Sequence, residues 1–394
     1  MAILKLSTCK SIPLEDKLLI VVFPSVFSQN KIKSLITNIR KILKIQNQKF
    51  AKIRKEGEVI VVDADDPVFA STAINTLFGI KRVAIAKQVD NNFESMVEEI
   101  SNVGVDLFLN GERFLIQVEG YAKGFIPKDV EIAATSSLIE KTKKEIKPGT
   151  NEKFDGSLYV YLTKPHAYIC IYYDKGLEGI PNNSQNKKIV CCIFDELSAV
   201  SCLETIKQGF DVKIVIYYTK ESELLRLVKI VNQIIHRTVQ SKINLEFYKT
   251  FHWVAGRLPS RYDNQIKTEV TIELLSRIAK LNGIKRISLS LSTLIHPIEF
   301  LEEMVMRVYN ETLIPYLPLS GLDTNILESA KEIGLDKYFP KIKKISKSMH
   351  YNSKQSRKKP EKIAEQAIMT RKNISIKMGA NNVHDILDII RSKQ

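Results

Sequence analysis

Between residues 189 and 292 short apolar runs alternate with longer amphipathic ones, and this alternation restricts the fold more than any other feature of the sequence. IVCCIF (189–194), VKIVIYY (212–218), INLEFYK (243–249) and RISLSLS (286–292) read as strands. LSAVSCLETIKQG (197–209), ESELLRLVKIVNQIIHRTVQ (221–240) and EVTIELLSRIAKLNG (269–283) read as the helices between them. Strands separated by whole helices need crossover connections, so the expected class is α/β, a parallel sheet with helices on both faces.

The preceding residues follow a different rhythm. KLLIVVF (17–23), EVIVVDA (58–64) and KRVAIAKQV (81–89) read as strands, with a helix KIKSLITNIRKILKI (31–45) that has a basic outer face. A second helix opens at Asp66 with Pro67 in its first turn and is expected to run to Gly79. FESMVEEISNVG, RFLIQVEGY (113–121), DVEIAATSSLIEKTKKEI (129–146), SLYVYLT and YICIYYD (168–174) add helix, strand, helix and two strands. The expected organisation is a small α+β domain over 1–65, a second over 66–175, a Gly/Pro/Asn linker over 176–188, the alternating domain over 189–350, and a basic tail over 351–394. PLSGLDTNILESAKEIG supplies one more capped helix, opened by Asp323 or Thr324 and closed by Gly334. In the tail HYNSKQSRKKPEKIAEQ is expected to be mobile, and NISIKMG and NNVHDILDIIRSK to form a last strand and short helix.

Charge narrows the partners. The net charge of +15 is concentrated at the ends: residues 1–55 carry 12 Lys/Arg against 2 Asp/Glu, and residues 341–394 carry 14 against 4. Clustered cations point to a polyanion, because neutralising phosphates and releasing counterions dominates nucleic-acid affinity. No apolar run approaches the roughly 18 residues needed to span a bilayer, and the start MAILKLSTCKSIPLEDK has no long secretory core, so the expected location is cytoplasmic with no membrane partner. Cys9, Cys170, Cys191, Cys192 and Cys202 form no CxxC pair and read as small buried hydrophobes. His236, His252, His296 and His384 are scattered, without metal-ligand spacing, and no metal site is expected.

The order of these parts, and the linker G-x-P-x-x-S-Q at Gly179, Pro181, Ser184 and Gln185 leading into an apolar strand, resemble the tRNA 4-thiouridine synthetases. FGIKRVAIAKQV, FLIQVEGYAKGFIPKDVEIAATSSLIEK and PLSGLDTNILESAKEIGLDKYFP are similar to successive segments of that family, and their collinearity carries the resemblance. It implies a ferredoxin-like N-terminal domain and a THUMP domain that bind tRNA, followed by a Rossmann-like PP-loop domain that uses ATP to adenylate a uridine before sulfur transfer.

Against that pattern the sequence departs where the chemistry is expected. The family's S-G-G-x-D-S loop falls on Ile193, Phe194, Asp195, Glu196, Leu197 and Ser198, and only the last serine matches. A phosphate-binding turn uses glycine so that backbone N–H groups can approach pyrophosphate, and carboxylates there repel it. Asp195 and Glu196 read either as caps of the following helix or as a magnesium pair. The family's second nucleotide segment, T-G-E followed by glutamine, falls on Ser290, Leu291, Ser292 and His296, again without glycine. Its persulfide cysteine falls on Ile342, ahead of Ile345, Ser346, Lys347 and Ser348, and isoleucine has no thiol chemistry.

The expected function is therefore a non-catalytic THUMP-type binder of tRNA or another structured RNA, a pseudoenzyme with no catalytic residue and no cofactor, ATP included. Two alternatives stand beside it: a tRNA sulfurtransferase with a displaced or partner-supplied site, and a protein-interaction subunit, with a protein partner or a homodimer. Lys33, Arg40, Lys41 and Lys44 can share one helix face toward phosphates. Lys123 and Lys128 follow the THUMP strand, where Glu119, Gly120 and Tyr121 replace the usual basic residues, and Lys354, Arg357, Lys358, Lys359 and Lys362 make a basic segment near the C-terminus.

Overall fold

A computed structural model of the chain describes residues 18–250, 263–321, 324–332, 334–335, 340, 358–379 and 381–392. The chain divides into two compact units. The first holds described residues up to Gln29, then Gln46–Asn75 and Ile80–Gly176; the second holds Asn30–Ile45, Thr76–Gly79 and the residues from Leu177 onward.

The first unit is built on one sheet. Its strands are β1 (Leu18–Pro24), β2 (Phe50–Glu56), β3 (Val59–Ala64), β4 (Ile80–Asp90), β5 (Arg113–Gly120), β6 (Lys147–Pro148), β7 (Gly156–Leu162) and β8 (His166–Glu178). They lie in the order β2-β3-β1-β4-β8-β7-β5-β6. Helix α1 (Ile32–Ile45) separates β1 from β2, and α2 (Pro67–Ile74) separates β3 from β4. With β1 antiparallel to both β3 and β4, this is the ferredoxin-like order of strands, although α1 clusters with the second unit.

Further along, α3 (Phe93–Leu107) and α4 (Pro127–Lys141) pack on each other through Gly104, whose missing side chain admits Leu138. Met96, Ile100, Val130, Ala134 and Leu138 then close over Ile116, Val118, Leu158, Val160 and Ile169. Every second strand residue faces this layer, which is the period-two pattern of a half-covered sheet.

In the second unit the strands are β9 (Lys188–Ile193), β10 (Asp211–Tyr218), β11 (Lys242–Lys249), β12 (Arg286–Ser288), β13 (Ile314–Tyr316) and β14 (Lys372–Lys377), in the order β13-β12-β9-β10-β11-β14. All pairs are parallel except β11 with β14. The helices are α5 (Glu196–Lys207), α6 (Glu221–Ile235), α7 (Asp263–Leu281), α8 (Ile298–Asn310), α9 (Thr324–Glu332), α10 (Lys358–Met369) and α11 (Val383–Ser392). Alternate strand residues face opposite layers. Cys191, Ile193, Ile214 and Ile216 meet α5, α6 and α11, whereas Cys192, Phe194, Val215 and Tyr217 meet α7, α8 and α10. The α/β class and its doubly covered parallel sheet are as the sequence implies.

Some local expectations need correction. The stretch read as mobile is helical from Lys358, and Pro360, Ala364 and Ala367 are buried, α10 lying along α7. The helix opened by Asp66 stops at Ile74 with Asn75 as its cap, because Leu77 and Phe78 are drawn into the interior. β2, α8 and the edge strand β13 were not evident in the sequence pattern; β13 is only three residues long. Cys170, Cys191, Cys192 and Cys202 are buried thiols, and Cys9 lies outside the described residues. Among the described residues no helix is long and apolar enough to cross a membrane, and no group of three or more His, Cys, Asp or Glu residues is placed to hold a metal ion.

Candidate functional site

The strand order of the second unit creates a switch point. From β9 the chain crosses through α5 to β10 on one side, and it returns through α7 to β12 on the other. In open α/β sheets the crevice above the carboxyl ends of two such strands is where ligands bind. Here the two loops that meet it are Phe194–Asp195 after β9 and Leu289–His296 after β12.

The first loop is closed on itself. Asp195 is the N-cap of α5, its carboxylate accepting the Ser198 N–H at 2.8 Å. The Ser198 hydroxyl reaches back and accepts the N–H groups of Phe194 and Asp195, both at 2.9 Å. The amides of Phe194, Asp195 and Ser198 are therefore already satisfied by this chain's own side chains. Phe194 points into the core beside Val190, Cys192 and Tyr217, and the Lys267 ammonium of α7 stands 5.9 Å from its ring centroid. Burial pushes the Asp195 carboxyl above its ordinary range, against the hydrogen bonds from Ser198 and the charge of Lys267. Glu196 is 4% exposed and is ion-paired with Arg226 of α6. Of the two readings of this carboxylate pair, the geometry gives Asp195 the capping role.

The second loop is similarly tied. The Ser292 N–H lies 3.2 Å from Nδ1 of His296, which also lies 3.2 Å from the Ser292 carbonyl, and the Ser292 hydroxyl accepts the Leu294 N–H at 3.3 Å. His296 is stacked on Phe300, and burial pushes its pKa down to about 4, so the imidazole is neutral at physiological pH. In both loops N–H groups are engaged by the chain's own side chains, those of Phe194, Asp195, Ser198, Ser292 and Leu294, and the carboxylates of half-buried Asp195 and buried Glu196 stand at the start of α5. Ile342, Ile345, Ser346, Lys347 and Ser348 lie outside the described residues.

The basic candidates fall in separate places. On α1, Leu35, Ile39, Ile42 and Leu43 are buried, which leaves Lys33, Arg40, Lys41 and Lys44 exposed along the opposite side. Spacings of seven and four residues put Lys33, Arg40 and Lys44 in one stripe, with Lys41 beside it. Lys123 is exposed, but Lys128 is ion-paired with Glu131, whose carboxylate also accepts the Val118 N–H. The Lys164 ammonium, not singled out in the sequence, stands over the exposed ring of Tyr121 at 5.8 Å, a cation–π contact between the ends of β5 and β7. Lys354 and Arg357 lie outside the described residues, as do the side chains of Lys358 and Lys359, whose backbone begins α10.

Sequence reasoning also missed the linker's interior role. Asn182 is 2% exposed, and its side chain donates to the Arg237 carbonyl at 2.6 Å and accepts the Phe78 N–H at 3.2 Å, while its carbonyl accepts Asn38 Nδ2 of α1 at 2.9 Å. An Asn in a Gly/Pro/Asn stretch reads as turn chemistry, and nothing in its local pattern marks it as a buried hub.

No protein-family model matches the chain. It is 25% identical over 317 residues to a probable tRNA sulfurtransferase of Thermococcus kodakarensis, covering 76% of this chain and 81% of that one. A probable tRNA sulfurtransferase of Bacillus licheniformis is 21% identical over 332 residues, covering 81% and 82%. Among solved structures, a 4-thiouridine synthetase in complex with RNA and ATP superposes with a TM-score of 0.65 at 17% identity, covering 92% of this chain and all of that one (100%). A protein from Pyrococcus horikoshii gives 0.60 at 17%, covering 80% and 99%. The likeness to the solved structures is one of fold. In sequence the chain is similar to probable tRNA sulfurtransferases, and in fold to a 4-thiouridine synthetase.

Proposed function

We propose that this 4-thiouridine synthetase-like chain binds tRNA, or another structured RNA, and does not carry out ATP-dependent adenylation or sulfur transfer. The observation that carries the second half is the closed loop at Phe194–Ser198: the backbone N–H groups that would hold pyrophosphate are held by Ser198 and Asp195 instead. The absence of cysteine at Ile342 points the same way from the sequence. The first half is supported by the similarity to probable tRNA sulfurtransferases, by the RNA in the complex of similar fold, and by the exposed cations of α1.

The test has two arms. Crosslinking the protein to RNA in cells and sequencing what is recovered should return tRNA, and recovery of no RNA class above background would leave a protein-interaction role in front. Expressing the chain in a strain that lacks its 4-thiouridine synthetase should leave the tRNA without 4-thiouridine by mass spectrometry. Restoration of the thionucleoside would make the chain a sulfurtransferase, as the relatives' names suggest, with its chemistry at another site.

A further inference from the structure

Helix α1, whose exposed cations support the RNA-binding reading, belongs to the second unit, and the contacts that hold it there lie at a defined end of that unit. Asn38, 4% exposed on the inner side of α1, donates to the Asn182 carbonyl at 2.9 Å, and Lys31 Nζ donates to the Ser184 carbonyl at 3.2 Å. The linker in turn is fastened to the starts of the parallel strands. Ile180 N–H donates to the Lys207 carbonyl at 2.8 Å, Gln185 N–H to the Gly209 carbonyl at 3.0 Å, and Asp211 N–H to the Lys187 carbonyl at 3.1 Å. Gly179 and Gly209 both have positive φ, and a side chain on either would collide with this seam. The linker is thus a fitted part of the unit, seated where β9 and β10 begin.

The crevice at Phe194–Asp195 lies at the other end of the same strands. A six-residue strand spans about 20 Å, so α1 and the crevice are separated by roughly that depth of sheet. Immediately past Ser184 the linker ends in Lys187 and Lys188, both exposed. Asp211 stands beside Lys188 in the strand register.

We propose that Lys187 and Lys188 extend the basic stripe of α1 into one phosphate-binding surface at the strand-start end of the second unit, away from the crevice, and that Asn38 and Asn182 act as positioning residues for it. The partner this fits is the sugar-phosphate backbone of a folded RNA, since the cations are exposed, of one sign, and spread over two elements of one unit. The proposal rests on the RNA-binding reading above.

Filter binding of an unmodified tRNA transcript to the full-length protein at several salt concentrations separates the two. Changing Lys33, Arg40, Lys41 and Lys44 together to Ala should flatten the slope of log affinity on log salt by about three units, and the pair K187A/K188A should flatten it by about one to two, each lost phosphate contact contributing roughly 0.7 to 0.9. A wild-type slope in K187A/K188A, with a reduced slope in the α1 variant, would overturn the extended surface and leave RNA binding by α1 intact. A wild-type slope in the α1 variant would sink the RNA reading of that helix itself. For the positioning role, Asn38→Leu keeps every cation but removes the donor to Asn182. It should speed amide hydrogen exchange across residues 32–45 and flatten the salt slope; normal exchange or an unchanged slope would refute it.

Discussion

Asp195 and Ser198 cap each other: the carboxylate takes the Ser198 N–H at 2.8 Å, and the serine hydroxyl takes the Asp195 N–H at 2.9 Å. The pair turns the start of α5 from an open anion site into a satisfied helix end. Calorimetric titration of the protein with ATP should accordingly show no affinity tighter than about millimolar, roughly 4 kcal/mol. A micromolar constant would mean that the loop opens to admit nucleotide.

Removing the hydroxyl with Ser198→Ala strands the N–H groups of buried Phe194 and half-buried Asp195. The expected loss is about 1–2 kcal/mol of stability, read as a lower urea midpoint. The variant should gain no ATP affinity, because the two carboxylates stay.

Glu56 gives the first unit an acid-sensitive joint. Burial acts to raise its pKa, but hydrogen bonds from Thr163, Tyr168, His166 and Arg54 outweigh it and bring the value from 4.5 down to about 2. A folded-state pKa below the unfolded one means that the group stabilises the fold fully above about pH 4.5, and that this contribution is lost as the pH falls toward 2. Glu56→Gln should therefore lower stability near neutrality and make it less pH-dependent between those values, as followed by circular dichroism. Parallel acid limbs in the variant and the wild type would count against it.

The last strand is structural. Ile374 is 1% exposed in β14, paired with Leu245 of β11. Ile374→Asp buries an unpaired charge and should cost several kcal/mol. Loss of the cooperative thermal transition of the second unit, or insoluble expression, is the expected outcome. A variant that melts like wild type would return this segment to the status of an appended tail.

Gly120 ends β5 with φ at 111°, and a Cβ there would lie 2.2 Å from the Leu162 carbonyl oxygen. Gly120→Ala should destabilise the first unit by roughly 1–3 kcal/mol from backbone strain, with the clash adding to it. Differential scanning calorimetry of the full chain checks this, and an unchanged transition would show that the backbone relaxes freely there.

The sequence by itself determined the strand and helix order from β9 to β12, because IVCCIF, VKIVIYY and INLEFYK are apolar enough to be buried on both faces and are spaced by whole helices. It also marked where the chain departs from the synthetase pattern, since glycine and cysteine have properties that Phe194 and Ile342 do not share. Only the tertiary structure decided what Asp195 does, as capping and metal binding use the same carboxylate and differ only in which atoms lie within reach. It alone brought α1 to the linker, because the bond from Asn38 to Asn182 spans 144 positions and a buried side-chain amide leaves no periodic trace. The C-terminal residues show the same division. NISIKMG announced a strand through its alternation, but that strand pairs antiparallel to β11 and completes the sheet, an outcome set by the open edge of β11 and by the apolar faces of α6 and α7 that β14, α10 and α11 cover.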